Sequence, residues 1–140
     1  MKIKKITQPE FENTFLEKLD NIPDCPKELF YVENLPPKNI KSILIVGSRS
    51  HSSYAKEVLE KIFEDLQGQD ILIISGLALG VDSLAHKLAL KYKLPTMTVP
   101  GSGLSEKVIY PRANIKLAKE ILNQNGYLLS EFEPEFKATN

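Results

Sequence analysis

The sequence predicts an α/β fold built on a parallel sheet, and three observations carry that prediction. From Lys41 onward, short apolar runs alternate with stretches whose apolar residues recur at helical spacing. Three of those runs, Ile43 to Val46, Ile71 to Ile74 and Thr96 to Val99, end directly in a glycine loop. Each stretch between them carries one apolar face. Strand and helix in alternation is the signature of βαβ units joined by right-handed crossovers. In a parallel sheet successive strands point the same way, so the loops Gly47-Ser48-Arg49, Ser75 to Gly80 and Pro100-Gly101-Ser102-Gly103 fall on one rim, where such folds bind ligands.

The elements follow in order. Thr7-Gln8-Pro9-Glu10 matches a capping box, and Phe11, Phe15, Leu16 and Leu19 then predict a short amphipathic helix up to Asp20. Pro23, Pro26, Pro36 and Pro37 break the segment from Asn21 to Ile40, with Leu29 to Val32 as an edge strand between them. Val58, Leu59, Ile62, Phe63 and Leu66 define a helix from Ser53 to Gln67, closed by Gly68. Two further helices, from Asp82 to Tyr92 and from Arg112 to Asn125, follow the second and third strands; Gly126 closes the last, and Tyr127 to Leu129 supplies a fourth strand. Ser130 to Asn140 reads as a polar tail. The expected architecture is a three-layer Rossmann-like parallel sheet with flanking helices over residues 41–140, preceded by a short N-terminal helical arm over residues 1–40.

Composition narrows the function. At 140 residues and 42% apolar content, one packed core is expected. No apolar run exceeds four residues, and the start Met1-Lys2-Ile3-Lys4-Lys5 has no signal-peptide core, so a cytoplasmic location without membrane contact is expected. One cysteine, Cys25, and two histidines, His51 and His86, leave neither a disulfide nor a zinc-ligand set, and no cofactor is expected. Eighteen basic and eighteen acidic residues cancel, so any polyanion site must be local. Of the basic residues only Arg49 and Arg112 are arginines, and both fall in or just after glycine loops. Arginine's planar fork grips phosphate at two points, which lysine cannot copy.

Glycines at strand ends let a ligand approach main-chain N–H groups, and the following helix turns its unpaired N–H groups and positive dipole end toward an anion. The rim therefore reads as a site for something phosphorylated. Neither G-x-G-x-x-G nor the Walker pattern is present. Ser48, Ser50, Ser52 and Ser53 instead surround Arg49 with hydroxyls, one of Ser52 and Ser53 serving as a helix cap. Asp82 is expected to cap the second helix, and His86, on a largely apolar helix, to be a packed hydrogen-bonded residue rather than a base. No serine or cysteine has an evident base and orienting partner, so no nucleophilic catalysis is expected. Tyr110, before Pro111, is placed to stack on a base or to pack against its own loop; Lys107 adds a phosphate contact; Glu131 either binds a ribose hydroxyl or orders Arg49 or Arg112.

On these residues the chain resembles the DNA-processing protein A family, DprA or Smf. The matching pieces are Ile45-Val46-Gly47-Ser48-Arg49; Ser75-Gly76-Leu77-Ala78-Leu79-Gly80-Val81-Asp82 with Ala85-His86 and Ala89-Leu90; Gly101-Ser102-Gly103-Leu104 with Tyr110-Pro111 and Asn114; and Leu128-Leu129-Ser130-Glu131-Phe132. They follow the family's order from about Lys41 to Pro134. The resemblance implies an extended Rossmann-like domain without enzymatic activity that binds single-stranded DNA on the glycine rim, acts in recombination and natural transformation, forms homodimers and helps load a RecA-type recombinase. Under it, Gly47, Ser48 and Arg49 hold phosphates, while the stretches with Gly76, Ala78 and Gly80 and with Gly101, Ser102 and Gly103 line the pocket; Ser50, from the hydroxyls around Arg49, and Ser75, at the head of the second loop, are added to the candidate site. Lys107, Tyr110 and Arg112 complete the site, Arg112 from composition alone, since the family commonly has a second proline there.

The departures from the family matter as well. A phenylalanine-proline segment with an Arg-Asn-Arg cluster normally follows the Ser-Glu-Phe motif, and here the sequence runs Glu133-Pro134-Glu135-Phe136-Lys137. That removes cations expected on the DNA. The alternative is a binder or enzyme for a nucleotide or nucleotide-derived ligand, of the wider superfamily that includes lysine-decarboxylase-like phosphoribohydrolases, whose Pro-Gly-Gly-x-Gly-Thr loop Pro100 to Ser105 partly resembles.

Overall fold

The computed structural model describes residues 2–139. Six strands form one mixed sheet: β1 Ile3–Thr7, β2 Glu28–Val32, β3 Lys41–Leu44, β4 Ile71–Ser75, β5 Thr96–Thr98 and β6 Tyr127–Ser130, in the order β1-β2-β6-β5-β4-β3. Strands β3 to β6 are parallel neighbours in chain order. Their connections carry α1 Ser53–Leu66, α2 Val81–Lys91 and α3 Ile115–Asn123. Consecutive strands joined by same-handed crossovers put all three helices on one face, and α2 lies between α1 and α3 in contact with both.

Side-chain alternation divides the core between the faces. Ile73, Leu128 and Phe30 point to the helix side, where Phe63, Ala85, Leu88, Leu117 and Ile121 cover them. Leu72, Met97, Leu129 and Leu29 point to the other side, where Phe11, Phe15 and Leu16 cover them. Each fully buried side chain of this size contributes about 1.5–3 kcal/mol. The amino-terminal segment is thus the third layer, and the sheet runs without interruption across residue 40.

That segment differs from expectation. The single helix up to Asp20 is replaced by β1 and two 3-10 helices, Gln8–Phe11 and Phe15–Asn21, separated where Asn13 adopts φ +63°. Ile3 to Thr7 find a complete antiparallel partner in Val32 to Glu28, and that ladder outweighs the local capping signal. Glu10 still reaches back, accepting from the Thr7 N–H at 2.9 Å and its hydroxyl at 2.7 Å, but it starts one short turn. β2 is internal rather than an edge, held between β1 and β6.

The true edge on the opposite side is β3. It runs Lys41–Leu44, two residues earlier than its apolar run suggested, and all four residues are exposed. At the far ends of the helices, α1 closes with Gly68 at φ +85°, as expected. α3 closes differently: Asn125 takes the left-handed conformation, and the Gly126 N–H bonds Ile121 O at 2.7 Å. Gly126 is required for space, since a Cβ there would stand 2.8 Å from Thr96 O.

Candidate nucleic-acid interface

The first two glycine loops interlock. Gly80 opens α2 at φ +86° and ψ −128°, a conformation only glycine adopts easily, and a Cβ on it would lie 2.2 Å from Ser48 O. That closeness lets the Val81 N–H donate to Ser48 O at 3.0 Å. Gly47 returns the contact, its missing Cβ leaving room for the Val81 side chain. The loop from Gly47 to Ser52 therefore sits as an exposed shelf directly against the amino-terminal end of α2.

On the shelf the serines differ in availability. The Ser48 hydroxyl donates to Ser50 O at 2.7 Å and accepts from the Ser50 N–H at 3.1 Å, which folds the loop on itself. Ser52 accepts from the Ala55 N–H at 3.1 Å and is the helix cap. Arg49 is exposed, and among the described residues its guanidinium makes no ion pair. The N–H groups of Gly47, Ser48 and Arg49 likewise have no acceptor among the described residues. The shelf thus offers main-chain donors and one uncommitted cation, while the Ser48 hydroxyl serves the loop.

Beneath the second loop, buried polar groups fix its shape. His86 is fully buried; its Nε2–H donates to Gly76 O at 2.8 Å, and Nδ1 lies 2.7 Å from the Thr96 hydroxyl. Burial pushes the imidazole below its ordinary pKa, with Gly76 O and Asp82 opposing. The Thr96 hydroxyl also lies 2.9 Å from Ile73 O, and its one proton serves Nδ1 or that carbonyl, not both at once. Asn114, at the start of α3, donates to Leu77 O and to the Ser83 hydroxyl, both at 2.7 Å, and Ser83 donates to Ala78 O at 2.7 Å. His86 is thus a packed hydrogen-bonded residue, as its sequence setting indicated. Asp82 is not the cap: Gly80 holds that position, and the Asp82 carboxylate makes no hydrogen bond among the described residues. The cap moved two residues, from Asp82 to Gly80, because Gly80 must approach Ser48, and the helix starts at Val81.

The third loop is divided. Gly101 is exposed, with nothing within 4 Å of a Cβ placed on it. Ser102 and Gly103 are buried. Ser102 accepts from the Tyr110 N–H at 3.1 Å and donates to Gly103 O at 3.0 Å, while the Gly103 N–H donates to Phe136 O at 2.9 Å. The tail does this covering: Phe132 and Phe136 stack at 4.4 Å between centroids, and Ser105 N–H bonds Pro134 O at 3.0 Å. Residues 131–139, expected to lack an element, are a packed turn over this loop, and they remove Ser102 and Gly103 from the surface.

Gly47, Ser48, Arg49, Ser50, Gly76, Ala78 and Gly80 therefore come together as shelf and α2 terminus, with Ser75 buried below and bonded to Ile45 O at 2.6 Å. Lys107, Tyr110 and Arg112 are exposed beyond the third loop, and Glu131 forms no bridge to either arginine among the described residues. Ser83 and Asn114 are the positioning residues that sequence reasoning left without a role. Neither stands out in the sequence, since Ser83 follows Asp82 and Asn114 lies between Arg112 and Lys116.

Residues 6–140 match the family DNA recombination-mediator protein A. The chain is 39% identical over 116 residues to DNA processing protein DprA of Streptococcus pneumoniae, covering 83% of this chain and 40% of that protein. It is 38% identical over 109 residues to protein Smf of Escherichia coli, covering 78% of this chain and 29% of the other. The fold superimposes on the X-ray structure of the pneumococcal DprA with a TM-score of 0.82 at 32% identity, over all of this chain and 47% of that one. It also superimposes on DNA processing protein A of Helicobacter pylori, described for its single-stranded DNA binding mode, with a TM-score of 0.75 at 28% identity, over all of this chain and 60% of that one. The chain thus spans less than half the length of the curated relatives it matches.

Proposed function

Because this chain belongs to the DNA recombination-mediator protein A family, we propose that its rim binds single-stranded DNA in DNA processing, recombination and natural transformation, and that it does so without a catalytic step. One observation carries the reading: the exposed shelf from Gly47 to Ser52 sets unpaired main-chain N–H groups and the uncommitted Arg49 against the start of α2. Such a shelf suits the phosphates of a flexible chain. Tyr110, 44% exposed farther along the rim, gives a base a face to stack on.

A polymer is favoured over a mononucleotide by the third loop. The phosphoribohydrolase-like alternative needs the loop from Pro100 to Ser105 as a phosphate cradle, and the tail occupies the Gly103 and Ser105 N–H groups. Absence of catalysis is supported by His86, whose two nitrogens are both engaged and which is fully buried. No helix among the described residues is long and apolar enough to cross a membrane. Delivery to a RecA-type recombinase and homodimer formation belong to the same reading, and their support is the family resemblance.

The test is fluorescence anisotropy of a labelled oligo-dT at two salt concentrations, wild type beside Arg49→Ala. Affinity should fall steeply with salt, and Arg49→Ala should lower both affinity and the salt slope, the latter by about one. Salt-insensitive binding, or no effect of the substitution, would sink the proposal.

A further inference from the structure

Resting on that reading, we infer that Leu79 is the base platform of the rim: the apolar side chain on which an unpaired nucleobase lies when its own phosphate is held on the shelf. In the second glycine loop, from Ser75 to Gly80, Leu79 is 47% exposed, while its neighbours are buried or half-buried. A single exposed leucine is ordinary on a protein surface. What sets this one apart is how it is held and what lies beside it.

The backbone is fixed on both sides of it. Before it, Leu77 O accepts from the Asn114 amide and Ala78 O from the Ser83 hydroxyl, both at 2.7 Å, and the Leu77 side chain is buried in the core. After it, Gly80 is pressed against the shelf: a Cβ there would stand 2.2 Å from Ser48 O and 2.4 Å from Arg49 O. The loop cannot draw Leu79 inward without breaking these contacts. An apolar side chain presented by fixed backbone loses little freedom on meeting a ligand, which favours binding.

Position supplies the occupant. Gly80 touches the backbone of Ser48 and Arg49, so Leu79 stands one residue from the unpaired N–H groups and the cation that would hold a phosphate. In a single strand each phosphate is joined through one sugar to a base whose faces are apolar and open. A polar shelf with an apolar side chain beside it matches that pair. Beyond Leu79 the rim stays apolar. Val99 is 38% exposed, and its carbonyl lies 3.8 Å from where a Cβ on Gly76 would stand. Tyr110, 44% exposed, is tied through its N–H to Ser102, three residues after Val99. Bases following the first therefore have Val99 and Tyr110 to lie on. In a duplex the base faces are already stacked, so Leu79 selects unpaired strands.

Anisotropy with labelled oligo-dT, beside the same strand with its central thymines replaced by abasic sugars, tests this, because both strands carry the same phosphates. Wild type should bind the abasic strand about fivefold more weakly or worse, the low end of what one base contact contributes. Leu79→Ala should weaken oligo-dT by about three- to fivefold, the loss of a leucine's apolar contact, and leave the abasic strand within about twofold. Its salt slope should stay that of wild type, since no phosphate contact is lost, whereas Arg49→Ala lowers the slope and weakens both strands. Leu79→Phe, a broader platform, should hold or increase the preference for thymine. Leu79 is not buried, so both variants should keep Tm within about 1–2 °C. Equal binding of the two strands by wild type, with salt dependence intact, would overturn the base platform and leave strand binding standing. A thymine preference undiminished in Leu79→Ala would also overturn it. Absence of binding to either strand would remove the proposed function and this inference with it.

Discussion

His86 Nε2 lies 2.8 Å from the carbonyl oxygen of Gly76, so a fully buried imidazole on α2 fixes the backbone of the second glycine loop. The bond couples the loop's geometry to one proton. Burial holds the ring's pKa below its ordinary 6.5, although Gly76 O and Asp82 favour the charged form. An unfolded chain binds this proton near pH 6.5, and the folded chain only at lower pH. Stability supplied by the neutral ring is therefore complete above about pH 7.5 and is lost as pH falls through 6.5 toward the folded value. Thermal unfolding between pH 8 and 5 should show a decline in Tm on that acid side. In His86→Gln the starting Tm should be lower and the decline shallower; an unchanged slope would refute the assignment.

Gly80 and Gly101 should respond oppositely to alanine. At Gly80 the positive φ and the carbonyl of Ser48, 2.2 Å from a new Cβ, make Gly80→Ala strained and clashing, with an expected loss of about 1–3 kcal/mol. Gly101 has neither obstacle, so Gly101→Ala should leave Tm within about 1–2 °C of wild type. If the strand passes over Gly101, the same change should weaken oligonucleotide binding. Denaturant titration and anisotropy on both variants decide the matter.

Asn114 is the clamp on the second loop. Asn114→Ala leaves Leu77 O without its 2.7 Å donor and deprives the Ser83 hydroxyl of a second, at a cost of about 1–3 kcal/mol for groups buried away from water. The local consequence is sharper than the global one. Amide exchange should accelerate at Leu77 to Gly80 beyond what the drop in Tm accounts for; uniform acceleration across the chain would indicate a merely global effect.

Much of this architecture was legible because periodicity is a strong signal where burial is regular. The faces of α1, α2 and α3, the parallel strands and the common rim all follow from where apolar residues recur. What failed was decided by distant partners. Ile3 to Thr7 carry little local information, and only the ladder with β2 makes them a strand. Ile43 and Leu44 belong to an apolar run, yet pairing on one side alone leaves them exposed at an edge. Asp82 looked like a cap because no sequence rule foresees that Gly80 must touch Ser48. The same limit hid the tail, whose hold on Gly103 depends on two phenylalanines stacking across a turn.

That tail makes its own prediction. Phe136→Ala removes a ring stack worth about 0.5–1.5 kcal/mol and loosens the segment that covers the third loop. The Gly103 and Ser105 N–H groups should then exchange faster while those of β4 and β5 do not. Retained protection at both amides would mean that the backbone bonds to Phe136 O and Pro134 O suffice without the rings.

The edge at β3 carries the last. Leu44, on the sheet face away from α1, is 65% exposed and Val46 61%, while on the helix side Tyr54 is 75% exposed and Ile43, Val58 and Ile62 are also open, so this edge of the molecule carries exposed apolar side chains. An unpaired parallel edge with apolar side chains is a template for further strands, and soluble proteins blunt such edges with lysine. Here Lys41 alone guards it. Light scattering as a function of protein concentration should reveal self-association through this flank, suppressed by Leu44→Lys with Val46→Lys. Neither side chain is buried, so the double variant should keep the wild-type Tm within about 1–2 °C. Unchanged scattering in a folded double variant would place the sticky surface elsewhere.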